Sequence, residues 1–371
     1  MLPEIGSNFW EYDLSHPRTH KFWWESNSYH SYFFKSGRNA TKAIGISLQK
    51  CEEKKILLPA YLCETEVDPW KDLGWSICFY QVNRDFTICV SDLKKQIVKF
   101  QPTVVLVQSY FGFLQDSQGL KEILELFREA NGIVIEDITQ SLFTDKSICY
   151  ADFYVASLRK FLAIPDGGVL ISLKELKFAS TAESNPDIDQ MAKKAFSRKK
   201  EYFYTLDPST KLDFRKLYQA LNELIVVNEN LSLISPLSKE IVAHMDFDEI
   251  CSTRKQNYSI LYQNLMNLDQ INIVTPEIEY KDEQVPLYLP VYFKSSEIRN
   301  QIRGEMAKRD IYCPIIWPRL SSTEVDNVES LYIFDHILCL PIDQRYESEE
   351  MSRISETLFY LCKKINGSAL S

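Results

Sequence analysis

The 371 residues carry 45% hydrophobic and 25% charged side chains, the balance of a folded chain with more than one compact unit and not of a disordered or fibrous one. A formal net charge of -9 repels phosphate backbones over most of the surface and argues against nucleic acid as the main partner. Nine cysteines without a CxxC pair and five histidines without ligand spacing argue against a disulfide framework and a metal site.

The N-terminus, MLPEIGSNFWEYD, has acidic residues where a signal peptide needs positive charge. No stretch reaches the roughly 20 apolar residues of a spanning helix. The expectation is a cytoplasmic protein with no membrane partner. Residues 1–35 read as an irregular arm with Phe9, Trp10, Phe22, Trp23, Trp24, Tyr29, Tyr32, Phe33 and Phe34. So many rings must be buried, either on the body of the protein or on a second subunit.

From residue 36 short apolar runs alternate with amphipathic segments. A helix is predicted over 39–49, a strand at 56–61, a helix over 64–73 and a strand at 76–82. DLKKQIVKF, the strand in 103–112, the helix LKEILELFREA and the strand in 132–140 repeat the pattern. This spacing predicts βαβ units and a largely parallel sheet covered on both faces. FYVASL and GVLISL then read as two closely spaced strands around KFLAIPDGG. Residues 175–215 read as a lysine-rich surface excursion, and 235–267 as a long helical stretch. YLPVYF and SEIRNQIRGEMAKRD belong to an α+β appendix.

Three places at predicted strand ends or turns carry chemistry, where open α/β sheets place their ligands. Ser36-Gly37-Arg38-Asn39-Ala40 is a small-residue turn that opens a helix, either an anion cradle or an ordinary N-cap. Asp137, at the end of a very apolar strand, needs a partner: a protonated pyridine nitrogen, an arginine or a helix N-terminus. Lys160, in Ser157-Leu158-Arg159-Lys160, is a surface lysine after a strand or a desolvated, nucleophilic amine. Order and spacing shift the balance toward the amine. A glycine turn comes early, a strand-end Asp follows, Ser-x-x-Lys ends twenty-three residues later, and Asp166-Gly167-Gly168 comes next.

This combination, with IEDITQS, SLRK and DGG as its strongest marks, resembles the DegT/DnrJ/EryC1/StrS family of pyridoxal-phosphate (PLP) dependent aminotransferases. The resemblance extends from about Gly37 to Leu361 and takes in LLPAYLCETEVDPWKDLGW and ILCLPID. It implies the α/β, PLP-dependent transferase fold type I. A large domain with a mostly parallel seven-stranded sheet covered by helices, residues 36–235, would follow the arm at 1–35. A small C-terminal α+β domain would take 236–371.

By the same resemblance, Lys160 would hold the cofactor covalently and shuttle the proton in catalysis. Asp137 would pair with the pyridine N–H, and Gln140 would bond near the ring hydroxyl. Ser157 with Gly37, Arg38 and Asn39 would hold the phosphate. Two departures stand out. Cys63 or Glu64 falls where the family stacks an aromatic on the ring, so Tyr110 or Phe111 could cover it instead. Arg38 replaces a small residue in the glycine turn. NENLSLIS falls where the family reaches across a dimer interface, which puts Asn228 or Asn230 near a neighbouring site or makes either a helix cap.

The implied function is amino transfer from glutamate to a keto-sugar nucleotide, in surface-polysaccharide or aminosugar biosynthesis, by a homodimer. A sugar dehydratase is an alternative, against which Lys160 argues because loss of the lysine can accompany such chemistry in the family. A non-catalytic PLP- or aminosugar-binding relative is another, suggested by the missing aromatic. A nucleotide-binding protein without PLP lacks any GxGxxG or P-loop after an early strand.

Overall fold

The computed structural model describes residues 3–18, 20–115, 117–144, 151–178, 183–226, 230–266, 273–274, 281–319 and 328–368. The apolar runs of the first half form one sheet: β1 (His30–Phe34), β2 (Lys55–Pro59), β3 (Ser76–Tyr80), β4 (Val104–Gln108), β5 (Ile133–Asp137), β6 (Phe153–Ser157) and β7 (Gly168–Ser172). Their order is β1-β7-β6-β5-β4-β2-β3. β3, β2, β4, β5 and β6 pair in parallel, while β7 is antiparallel to both β6 and β1. The reversal follows from chain length. Only residues 158–167 join β6 to β7, too few for a parallel crossover of about a dozen or more.

Helices α1 (Gly37–Ser47) and α2 (Glu64–Asp72) cover one face, where Ala40, Ile44, Val67 and Trp70 share a core with Ile56, Leu106 and Ile135. Helices α3 (Val90–Phe100) and α4 (Gln118–Glu129) cover the other, where Leu93, Leu120 and Leu124 meet Leu57, Val105 and Val134. Strands buried on both sides are apolar throughout, which is why they read as continuous runs and not as alternation.

Three stretches fold differently from the sequence reading. Part of the supposedly irregular arm is β1, which pairs with β7 at the sheet edge. Phe22 and Trp24 before it are buried on the body of the same chain, stacked at 4.2 Å, with Phe22 also 5.6 Å from Phe143. The surface excursion is largely a hairpin of α5 (Pro186–Thr205) and α6 (Pro208–Val226), with its own core of Phe196, Tyr202, Phe214 and Tyr218. The long helix is two, α7 (Pro236–His244) and α8 (Phe247–Met266), because Met245 is extended and the Asp246 carboxylate accepts the Glu249 N–H at 2.9 Å. A new N-cap of this kind starts a helix in a new direction.

The remaining described residues form β8 (Ile273–Val274), β9 (Tyr288–Phe293) and β10 (Ile337–Pro341), with α9 (Ser296–Ala307), α10 (Val328–His336) and α11 (Ser348–Ser368). Leu237, Ile241 and Met245 join the core of the large sheet. Tyr258, Leu261 and Leu265 of α8 join that of the small one. No described helix is long and apolar enough to cross a membrane.

Candidate active site

The carboxyl end of β6 meets the N-terminus of α1, and β5 lies beside β6. Lys160 closes a single 3-10 turn (Leu158–Lys160) that leaves β6. Its side chain is exposed, yet it borders a cavity of about 290 Å³. Burial lowers the pKa of its amine and Arg159 adds to that shift, while Cys63 and Asp137 oppose it. Exposure and a lowered pKa are compatible here, because a protein-walled cavity holds too little water to solvate a charge as bulk solvent does.

Asp137 is 2% exposed. Its Oδ1 accepts the Thr139 N–H at 2.7 Å, and burial pushes its pKa up to about 6 against the pull of that bond and of Lys160. Glu66, also buried, accepts the Thr41 hydroxyl at 2.7 Å and is pushed up to about 8 by burial first and by Asp137 second. Gln108 lies beside Asp137 in the β4–β5 register, and its side-chain amide has no hydrogen-bond partner among the described residues.

The glycine turn lies close against these strands. A Cβ on Gly37 would stand 3.1 Å from the Ser157 Cβ, and one on Gly168 would stand 2.2 Å from the Ser36 carbonyl. Ser157 and Gly168 are themselves partners across β6 and β7. Ser36 caps α1 by accepting the Asn39 N–H at 3.2 Å. The amides of Gly37 and Arg38, in the helix's first turn, have no partner within the helix and are free of that ladder to meet an anion beside Ser157.

Other expected site residues are committed elsewhere. Asn39 is buried, and its Oδ1 accepts the Ser232 N–H at 3.0 Å. Arg38 reaches Asp68 of α2 at 3.1 Å. Gln140 is buried, and its Oε1 accepts the Phe111 N–H at 2.7 Å. Tyr110 and Phe111 lie fully buried among Tyr61 and Phe86, so neither has a face open to a ligand. Cys63, at the N-terminus of α2, is the group that acts on Lys160 from that side. Asn228 lies outside the described residues, and Asn230 is exposed.

The cavity holds residues that the sequence reading missed: Arg254, Asp343, Arg345 and the arm at 6–9. Arg345 grips Asp343 through two nitrogens at 2.6 and 2.8 Å, and its third donates to the Ser7 carbonyl at 2.8 Å. One signal was available: Arg254 interrupts the buried face that Ile250, Tyr258 and Leu261 make on α8.

No protein-family model and no curated protein matches the chain. Solved structures do. A candidate sugar aminotransferase of Streptococcus pneumoniae, in its PMP form, superposes with a TM-score of 0.67 at 15% identity over 92% of this chain and 88% of that one. NtdA of Bacillus subtilis, with bound cofactor PMP, gives 0.64 at 15% identity over 90% and 73%. DesV of S. venezuelae gives 0.61 at 15% identity over 90% and 85%. The chain has the fold of the sugar aminotransferases.

The residues present fit the cofactor that this fold holds in those neighbours. Asp137 is a buried carboxylate with no cation bonded to it among the described residues. With it stand the α1 N-terminus, packed through Gly37 on Ser157 and through Ser36 on Gly168, and an amine whose pKa burial lowers. They offer one partner each to a pyridine N–H, a phosphate and an aldehyde. Gly168→Ala tests the close approach of the α1 N-terminus to β7. A methyl 2.2 Å from the Ser36 backbone must separate α1 from β7, an overpacking cost of about 1–3 kcal/mol. The expected result is a lower melting temperature and weaker PLP binding in the same variant.

Proposed function

We propose that the chain is a PLP-dependent aminotransferase that moves an amino group from an amino acid, glutamate in the family it resembles, to a keto-sugar nucleotide, in surface-polysaccharide or aminosugar biosynthesis. The observation that carries this reading is Lys160, which leaves β6 to border a cavity, its amine shifted below its ordinary pKa by burial, with Asp137 acting on it. When bound, PLP supplies an electron sink for the negative charge that develops at a substrate carbon. Asp137 would hold the pyridine N–H as an ion pair. The Gly37 and Arg38 amides with Ser157 would hold the phosphate. Lys160 would anchor the cofactor and, once freed, take and return the proton at the substrate carbon. A homodimer in the cytoplasm is the assembly and location this reading carries with it.

Cys63 or Glu64, in place of a stacking aromatic, favours a second reading: a protein that binds PLP or an aminosugar without turning it over. Absorbance separates the two. Protein with added PLP should show a bound-cofactor band near the visible edge that L-glutamate bleaches. A band that no amino donor changes supports the second reading, and no band at all removes the cofactor.

A further inference from the structure

Two buried polar residues near Asp137, Glu66 and Gln108, have no part in the cofactor site described above. Both lie in the layer that α1 and α2 make on the sheet, together with Asp137 and Thr41. Leu106 and Ile135 belong to the core under those helices. Gln108 and Asp137 each follow by two residues, which puts them on the same face of the sheet. Ile44 of α1 and Trp70 of α2 belong to that core as well. Thr41 stands three residues before Ile44 and Glu66 four before Trp70, the spacings that share a helix face. All four polar side chains are buried.

Two carboxylates in one apolar layer do not ionise together without a large penalty, so the pair keeps one proton. Hydrogen bonds decide which member carries it. Asp137 accepts the Thr139 backbone N–H at 2.7 Å and is pulled toward its ionised form by Lys160. Glu66 accepts a neutral hydroxyl, that of Thr41, at 2.7 Å. Arg38, the cation that acts on Glu66, is paired with Asp68 at 3.1 Å. The charge therefore settles on Asp137 and the proton on Glu66. Cys63, on which Lys160 and Glu66 both act, is a thiol pushed up by burial and adds no charge at neutral pH. The upward shift of Glu66, by burial first and by Asp137 second, agrees with this arrangement.

Resting on the aminotransferase reading, we propose that Glu66 and Asp137 form a carboxylate pair with one proton between them, in which Glu66 is a positioning residue. By holding the proton, Glu66 keeps Asp137 an ion for the pyridine N–H. Gln108, the partner of Asp137 in the β4–β5 register, is the neutral amide beside them. Its nitrogen and its oxygen are both without a partner among the described residues. An amide donates to a carboxylate and accepts from a carboxyl, so it suits a pair that holds one of each. Once a cation neutralises Asp137, Glu66 is relieved of the repulsion and releases its proton more readily, which links cofactor binding to pH.

Infrared absorption of cofactor-free protein reads the proton, because an un-ionised carboxyl absorbs apart from a carboxylate. At neutral pH the wild type should show an un-ionised band that Glu66→Gln lacks, fading as pH rises through about 8. Gln keeps an oxygen for the Thr41 hydroxyl, and Asp137→Asn tests the same pair with Glu66 in place. In Asp137→Asn the band should fade about one pH unit lower, since the repelling charge is gone. A carboxyl that is merely buried would not move. Calorimetry with PLP is the second readout. From about pH 7 to about pH 9 the wild type should gain about tenfold in affinity relative to Glu66→Gln, the equivalent of one pKa unit. A band that Glu66→Gln leaves in place, or that Asp137→Asn leaves at the same pH, overturns the pair. An affinity ratio that stays flat with pH overturns the positioning role. If both substitutions act on the infrared band but PLP does not bind, the pair stands and the enzyme function falls. A glutamate-bleached cofactor band with an infrared band that neither substitution alters does the reverse.

Discussion

Lys160→Ala should lose the bound-cofactor band and slow the glutamate half-reaction by about three orders of magnitude, the scale of a lost acid–base group. Lys160 follows a buried strand and borders a cavity, and burial lowers its pKa. A larger neutral fraction at neutral pH makes the amine a better nucleophile. Because the side chain is exposed to that cavity, removing it leaves no hole in the core, and the melting temperature should change little. Stopped-flow absorbance and a thermal melt on the same preparation read both. A variant that keeps the band would move the cofactor to another residue.

Asp137→Asn should bind PLP with a slower half-reaction, by about 10²–10³-fold, the scale of one lost preorganised charge interaction. The Asn oxygen can keep the Thr139 N–H bond, so the change removes charge with little change of shape. The carboxylates also set a pH dependence. Asp137 at about 6 and Glu66 at about 8 both stand above their ordinary values in the folded chain. A raised folded pKa means that the folded state holds its protons more tightly than the unfolded one. The stability this confers is complete below the ordinary carboxylate range. It is lost as pH rises from that range through about 6 for Asp137 and about 8 for Glu66. Cofactor-free protein should therefore melt at lower temperature as pH rises across that window, and Glu66→Gln should flatten the upper part of the fall. A melting temperature that climbs through the window would show that burial raises neither group.

The strands and their cover were legible in the amino-acid order, because a strand buried on both faces must be apolar throughout. The places of Asp137 and Ser157 at strand ends, of Lys160 just after β6 and of Gly37 at the start of α1 were legible too, since a charge at the end of an apolar run or a glycine in a turn is a local signal. The rest depends on contacts between distant residues. Asn39 is taken up by Ser232, and Gln140 by Phe111, partners that no spacing reveals. Tyr110 and Phe111 are buried away from any ligand because Tyr61 and Phe86 close over them. The cavity joins Arg159, Arg254 and Arg345 with the arm at 6–9, four stretches far apart in the chain. Periodicity reports which face of an element is buried. Which buried polar groups meet is settled by the packed fold, because each needs a partner and distant segments supply it.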